Sequence, residues 1–308
     1  MGRSIAADLL MNHQYVVALS PVDDPEDARA EARIKQQIAQ CFDQGLIEKE
    51  PATYMSGLRL TKEYADLQDC TLVIETVVEE LAIKEQVLKR VESVVDRQAI
   101  VTSNTSAIPI NTLQQYLDRP ERFFGMHWAE PAYTTRFLEI ICGDQSDDAI
   151  ADELYRIAEG WGKEPTLLRK DIRGFITNRL MYALYREALH LVENGFVTME
   201  DLDRTCKNDA GRWMTFCGPF RYMDLTGVQA YFHVMKDLFP TLSNQTEVPS
   251  LIEDIAQAGG NGTSNGRGFY EYTEQEARQW EQDFEAFSFD IAKLSNQYRT
   301  QQSDHKKK

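Results

Sequence analysis

Apolar positions along the chain fall into two patterns, short continuous runs and stripes that recur every three or four residues. From about residue 173 onward only helical stripes remain. Strands alternating with helices, followed by helices alone, predict an α/β N-terminal domain at 1–172 and an all-α C-terminal domain at 173–297. Five runs are apolar enough to predict buried strands, at 15–19, 72–75, 99–102, 137–141 and 165–169.

One histidine and one carboxylate are placed where they can form a pair. His127 lies in the segment FFGMHWAEP, and Glu139 follows inside the apolar run 137–141. A carboxylate in so apolar a strand needs a partner, and Pro131 lets the chain fold back between the two. A carboxylate bound to one imidazole nitrogen fixes the tautomer and leaves the other nitrogen free as a base. The alternative is a structural core histidine beside an unrelated acid.

Three further motifs accompany this pair in a fixed order along the chain. They are the tetrapeptide Ser-Asn-Thr-Ser at 103–106, directly after a predicted strand, then GFITNRL at 174–180 and GRGFYEY at 266–272. Together with His127 and Glu139 they resemble the L-3-hydroxyacyl-CoA dehydrogenase family, from Met1 to about Tyr272. The resemblance implies an N-terminal Rossmann-type dinucleotide-binding domain and a C-terminal helical domain for substrate binding and dimerisation.

The resemblance also implies a reaction and the residues that perform it. The family oxidises L-3-hydroxyacyl-CoA to 3-ketoacyl-CoA, as in fatty acid β-oxidation, so NAD is the implied cofactor and acyl-CoA the implied substrate. His127 takes the proton of the 3-hydroxyl, and Glu139 orients His127. Ser106 and Asn178 hold the reacting oxygen, where charge develops.

Cofactor contacts are implied for Ser106 and for four other residues. Gly2 aligns with the last glycine of the dinucleotide fingerprint. Glu79 and Lys84 have the family's spacing at the start of the predicted helix 76–95. Glu130 stands on the nicotinamide side, where the family usually has Asn, and a carboxylate there disfavours an anionic group or changes the choice of substrate. For Glu79 and Lys84 the alternative is an ordinary acid of a first helical turn and an exposed lysine.

The chain opens on a predicted helix at 1–10 and only then reaches a strand. Because a Rossmann domain opens with a strand and a glycine-rich turn, we expect the first strand and the first two fingerprint glycines upstream of Met1, which is then not the native start. Without that central strand, its two neighbours each keep one unpaired edge. The alternative is a natural variant that no longer binds a dinucleotide.

The acid that usually binds the adenosine ribose is not at its expected place. That place falls at Leu19 or Ser20, and Asp23 or Asp24 could substitute from the following loop. No arginine stands there to favour NADP.

Composition excludes several classes of partner. Lys and Arg number 33 against 49 Asp and Glu, giving a net charge of −16, which argues against nucleic acid and anionic membranes. Five cysteines without CxxC spacing indicate a reduced, cytoplasmic protein without a metal site. Three basic residues on the predicted helix 25–47 either meet coenzyme A phosphates or are simply solvated, namely Arg29, Arg33 and Lys35.

The segment after Tyr272 lies beyond the resemblance. It predicts a long helix at 274–297 with large apolar residues at heptad-like spacing, among them Trp280, Phe284 and Phe287. Such a stripe needs burial, and we expect it to pack in a homodimer or on its own domain. The polar residues 298–308 predict a disordered tail.

Two other functions remain compatible with the sequence. One is a sister dehydrogenase of a free hydroxy acid, such as carnitine or gulonate dehydrogenase, which shares the spacing of His127 and Glu139. The other is a non-catalytic structural or binding relative, suggested by Glu130 and the incomplete fingerprint. Dependence of activity on coenzyme A separates the two dehydrogenases.

Overall fold

The computed structural model describes residues 1–20 and 29–298. It divides into two compact units, of which the first, Met1–Asn178, is α/β and the second, from Arg179 onward, is helical. The predicted fold class is therefore confirmed. The contacts within each unit place the division after Asn178, so the first residues of the helix that begins at Thr177 belong to the first unit.

The first unit alternates strands with helices. Its strands are β1 (Val16–Leu19), β2 (Leu58–Thr61), β3 (Leu72–Glu75), β4 (Ile100–Ser103), β5 (Phe123–Trp128), β6 (Phe137–Cys142) and β7 (Glu164–Leu168). Its helices are α1 (Gly2–Met11), α2 (Ala30–Asp43), α3 (Pro51–Met55), α4 (Leu81–Glu92), α5 (Ile110–Gln114) and α6 (Asp148–Gly160).

The described strands form two sheets. β1 pairs with β2 in parallel, and the other five pair in the order β3-β4-β5-β6-β7. Only β5 and β6 run antiparallel, and their register sets His127 opposite Glu139. Among the described strands, β1 pairs only with β2, and β3 pairs only with β4.

Alternate residues of β5 enter two different cores. Phe124, Met126 and Trp128 pack with residues of α1 and α6 on one face of the sheet. Phe123 packs on the other face with residues of α4 and α5 and with Phe175. Because side chains alternate along a strand, the histidine between Met126 and Trp128 faces the side that holds Phe175.

Two helices of the first unit differ from their predicted bounds. α2 ends at Asp43, short of residue 47, because Gly45 takes a positive φ of 70° that ends the helical run; the start predicted at Pro25 lies outside the described residues, as do Asp23 and Asp24. α4 begins at Leu81 rather than at 76, and in the loop before it the backbone N–H of Val77 donates to the carboxylate of Glu75.

Up to Tyr298, the second unit is helical apart from two isolated β-bridges, between Gly262 and Arg267 and between Arg267 and Glu271. The helix predicted at 274–297 is confirmed with those bounds, and Thr273 and Glu276 form a capping box at its start. The tail predicted from 298 lies, after Tyr298, outside the described residues. The helices are α7 (Thr177–Glu193), α8 (Met199–Asn208), α9 (Ala210–Met214), α10 (Pro219–Thr226), α11 (Val228–Leu238), α12 (Ser250–Gln257) and α13 (Glu274–Gln297).

Candidate active site

The predicted pair of His127 and Glu139 is present. The Nδ1 atom of His127 lies 2.8 Å from Oε2 of Glu139, and the two residues are 8% and 1% exposed. With Nδ1 held by the carboxylate, the tautomer is set with Nε2 left to meet a substrate. The alternative of an unrelated acid is excluded by this contact.

The second oxygen of Glu139 binds the start of α7. Its Oε1 accepts hydrogen bonds from the backbone N–H groups of Ile176 and Thr177, each at 3.0 Å. A carboxylate at a helix N-terminus is favoured by the unpaired N–H groups and the helix dipole. Glu139 thus fixes the imidazole and the first turn of α7 at once.

Aromatic rings enclose the imidazole. The rings of Phe137 and Phe175 each lie with their centroids 5.6 Å from that of His127. Phe175 is fully buried, although its φ of 52° is one that a bulky residue rarely adopts. Because such a conformation persists only where the surroundings impose it, we take Phe175 as part of the site.

Hydrogen bonds hold Ser103 at the end of β4 and Asn104 at the start of the following loop. The hydroxyl of Ser103 donates to Glu75 Oε2 at 2.5 Å, and Asn104 Oδ1 accepts from the backbone N–H of Trp128 at 2.9 Å. The Asn104 contact ties the loop to the residue next to His127. A tetrapeptide common in turns is here a fixed platform.

Ser106 and Asn178 are in direct contact. The side-chain amide of Asn178 donates to the backbone carbonyl of Ser106 at 2.8 Å. Asn178 follows Thr177, which binds Glu139, so an unbroken series of contacts leads from Ser106 to His127. The structure therefore brings together all four residues predicted to be catalytic.

Glu79 supports the loop that carries Ser106. Its Oε1 accepts hydrogen bonds from the backbone N–H groups of Ser106 and Ala107 at 3.1 Å each, and from the hydroxyl of Thr105. Burial alone would raise the pKa of Glu79, but these hydrogen bonds and the Lys84 ammonium outweigh it and the pKa is lowered. Glu79 is thus held as a carboxylate, with 39% of its side chain exposed.

Lys84 is a buried residue, so the alternative of an exposed lysine is wrong. Only 1% of its side chain is accessible, and its ammonium lies 2.9 Å and 3.0 Å from the two oxygens of Glu75 and 3.3 Å from Glu79. Two carboxylates therefore share one cation at the carboxyl ends of β3 and β4, the edge where α/β folds build their sites.

Comparisons with known proteins agree with this arrangement. Residues 1–172 match the family model described as 3-hydroxyacyl-CoA dehydrogenase, NAD binding domain, and residues 174–272 match the model of its C-terminal domain. The chain belongs to the 3-hydroxyacyl-CoA dehydrogenase family. It is an NAD-binding oxidoreductase of that family.

Individual relatives within the family differ in substrate. The chain is 32% identical over 279 residues, 90% of its length and 89% of the relative's, to a 5-formyl-3-hydroxy-2-methylpyridine 4-carboxylate 5-dehydrogenase of Mesorhizobium japonicum. It is 32% identical over 245 residues, 79% of its length and 87% of the relative's, to a probable 3-hydroxybutyryl-CoA dehydrogenase of Deinococcus radiodurans. A solved structure of a dehydrogenase of that same pyridine acid, described as an NAD+-dependent dismutase, superposes with a TM-score of 0.88 at 29% identity, covering 97% of this chain and 95% of the other.

The residues at the sheet edge fit the dinucleotide that the family uses. α1 begins at Gly2, where an added Cβ would lie 2.7 Å from Oγ1 of Thr76, so only glycine lets this helix end approach the loop after β3. A helix N-terminus is a natural site for phosphate groups. Glu79 and Ser106 are exposed at the same edge.

Other implied contact residues lie at the surface. The Glu130 side chain is 55% exposed, two residues after Trp128 and before a cis peptide bond to Pro131. The basic residues of the α2 region are exposed as well, namely Arg29, Arg33 and Lys35. Within residues 1–20 and 29–298, no cluster of three potential ligands is arranged to hold a metal ion, and no helix is long and apolar enough to cross a membrane.

Sequence reasoning missed two contributors to the site. Glu75 ends a buried strand, and a carboxylate in that position needs a partner just as Glu139 does. Phe175 lies in the GFITNRL motif next to Gly174, and both residues have positive φ values. A glycine at a domain boundary signals such a turn, but no local pattern signals that the phenylalanine beside it packs on His127.

Proposed function

We propose that this protein oxidises the 3-hydroxyl group of an L-3-hydroxyacyl-CoA thioester with NAD. The observation that carries the proposal is the buried hydrogen bond between His127 and Glu139 in a chain of this family. When bound, NAD supplies the hydride acceptor. His127 Nε2 accepts the hydroxyl proton, and Glu139 stabilises the imidazolium that forms.

The other residues orient the substrate, support the loop that carries Ser106 and line the side of the cofactor. Ser106 and Asn178, joined at 2.8 Å, hold the reacting oxygen where negative charge develops. Glu79 and Lys84 keep their loop in place, and Gly2, Glu79 and Glu130 line the side of the cofactor. A cytoplasmic location belongs to the same proposal and is supported by five free cysteines.

Removal of either member of the pair tests the catalytic assignment. We expect His127→Gln and Glu139→Gln to lower kcat at least about a hundredfold, since a positioned general base contributes about 10²–10⁴. NADH formation from 3-hydroxybutyryl-CoA is the assay. His13→Gln, which changes an exposed histidine, is the matched control and should keep full activity. Activity of both dyad variants within a few-fold of wild type contradicts the assignment.

A free carboxylic acid is the second candidate substrate, for one reason. The superposed structure of the pyridine acid dehydrogenase covers 97% of this chain, so it includes α13, which lies outside the residues matched to the family models. Assays with 3-hydroxybutyryl-CoA and with free 3-hydroxybutyrate, side by side, separate the candidates. Turnover of the free acid alone favours the second, and absence of both turnover and NAD binding favours a non-catalytic relative.

A further inference from the structure

Lys163, just before β7, is a buried cation that lies apart from the His127–Glu139 pair. It is 5% exposed, and its ammonium donates to Asp8 Oδ1 at 2.8 Å and to the carbonyls of Ala132 and Thr135 at 2.7 Å and 2.9 Å. An ammonium group has three N–H donors, so each of them has an acceptor. The Trp128 ring lies 5.1 Å from the same nitrogen.

Both carbonyl acceptors belong to one segment, residues 129–136, which connects β5 to β6. β5 carries His127 and β6 carries Glu139, so this connection closes the hairpin on which the pair is built. It also carries Glu130. Lys163 therefore holds the connection near its middle and near its end.

Helix α1 holds the same connection directly. Ser4 and Asp8 are one helical turn apart on α1 and are 1% and 4% exposed. The hydroxyl of Ser4 accepts the backbone N–H of Ala132 at 2.7 Å, while Asp8 binds Lys163. α1 is thus hydrogen-bonded to the connection directly through Ser4 and indirectly through Asp8 and Lys163.

Stability alone does not account for this arrangement. Burying a carboxylate and an ammonium is expensive, and an apolar pair of similar volume often stabilises a fold as well or better. An apolar pair would not, however, orient two backbone carbonyls of a loop. The arrangement instead fixes the distance between α1, whose N-terminus faces the loop after β3, and the hairpin of the His127–Glu139 pair.

We propose that Lys163 is a positioning residue that clamps the β5–β6 connection to α1 and thereby places His127 and Glu130 relative to the dinucleotide-binding end of that helix. The proposal rests on the dehydrogenase function proposed above. Lys163 acts through the backbone of residues 132–135 and takes no part in the chemistry.

A neutral pair in place of the charged one tests the clamp. Lys163→Met alone leaves Asp8 buried without a partner, so the informative variant is the double change Asp8→Asn with Lys163→Met, which removes both charges and keeps the volume. The control is Lys89→Met, since Lys89 also has a carboxylate partner, Glu85, and a neighbouring aromatic ring but is 53% exposed. Cooperative thermal unfolding shows that each variant is folded.

Three readouts separate positioning from a merely structural role. In the double variant we expect faster backbone hydrogen exchange at residues 132–136, a raised KM for NAD, and kcat/KM lower by about tenfold or more, because small misplacements of reacting groups are costly. Lys89→Met should change none of them. Wild-type exchange or wild-type kcat/KM in the folded double variant overturns the clamp. An inactive wild-type protein instead refutes the dehydrogenase function, and the exchange measurement still decides about the clamp.

Discussion

Glu75 and Lys84 place two opposite charges in the interior at the end of β3. Neither side chain is more than 1% exposed, and Glu75 also accepts hydrogen bonds from Val77 and Ser103. An ion pair this deeply buried is tolerated only with full hydrogen bonding, and loss of Glu75 leaves the buried Lys84 ammonium with only the partly exposed carboxylate of Glu79. Because Lys84 in turn binds Glu79, the placement of the Ser106 loop depends on a residue that does not reach the surface.

Replacement of Glu75 by Leu should therefore be severe. We expect the free energy of unfolding to fall by about 3–5 kcal/mol, the usual loss when one partner of a buried pair is removed. Urea unfolding measures it. Glu85→Leu, which removes the partner of the exposed Lys89, should change stability by less than about 1 kcal/mol. Equal losses in the two variants would show that burial of the Glu75–Lys84 pair has no energetic weight.

Single residues differ in how far the sequence could identify them. Glu139 was predictable because an acid inside an apolar strand needs a partner and only one histidine lies nearby. The sequence singled out Lys84 by its spacing from Glu79 but did not indicate that it is buried, because a lysine at a helix start is usually solvated. Lys163 contacts Asp8 across a separation of 155 positions in the sequence, and no local pattern encodes such a contact.

Among the elements, α1 carries a carboxyl group with a raised pKa, that of Asp8. Burial raises the pKa of Asp8 from its ordinary value of 3.8 to about 6, although the neighbouring Lys163 ammonium opposes the increase. A folded-state pKa above the unfolded value means that the folded protein binds this proton more tightly. The stabilisation is then complete below about pH 4 and is lost as the pH rises through 6.

Comparison of wild type with Asp8→Asn should expose this dependence. We expect the melting temperature of wild type, relative to the variant, to decrease between pH 4 and pH 7. Cys41, which lies near this pair, does not titrate in that range because burial raises its pKa to about 12. Differential scanning calorimetry of both proteins at each pH provides the measurement. A constant difference across the range contradicts the raised pKa.

The bounds of a helix were predictable where its sequence carries one clear signal. α13 has a capping box and a long apolar stripe, and its predicted bounds agree with the structure. The start of α4 was predicted too early, since the apolar pattern continues from β3 into the loop in which Val77 donates to Glu75. The division of the described strands into two sheets was not predicted, because no local feature of a strand specifies its partners.

At the scale of the whole molecule, the second unit exposes many large apolar side chains. None of the residues in α7–α12 is buried, and α13 buries only Ala277 and Phe289. On α13 the side chains of Trp280, Phe284 and Phe287 are more than half exposed. Extended apolar surfaces of this kind mark interfaces, so we propose a homodimer formed through the helical unit.

The double change Phe284→Glu with Phe287→Glu should disrupt this dimer. We expect wild type to have twice the mass of one chain in light scattering and the variant to approach the mass of one, because two charges cannot be buried in an apolar interface without partners. Tyr15→Glu is the control, since Tyr15 is a 92% exposed aromatic residue of the first unit. A wild-type protein with the mass of one chain at micromolar concentration contradicts the proposal.

The connection between β5 and β6 has a practical consequence for protein engineering. Ala132 is fully buried and its backbone is held on both sides, and Tyr133 packs against the core beside α1, while Glu130 and Thr134 keep accessible side chains. Anchored backbone with accessible side chains is the arrangement from which antibody loops derive their variability. A randomised library at Glu130 and Thr134 should therefore yield many folded clones, and selection from it can explore new substrates while the hairpin that carries His127 is inherited intact.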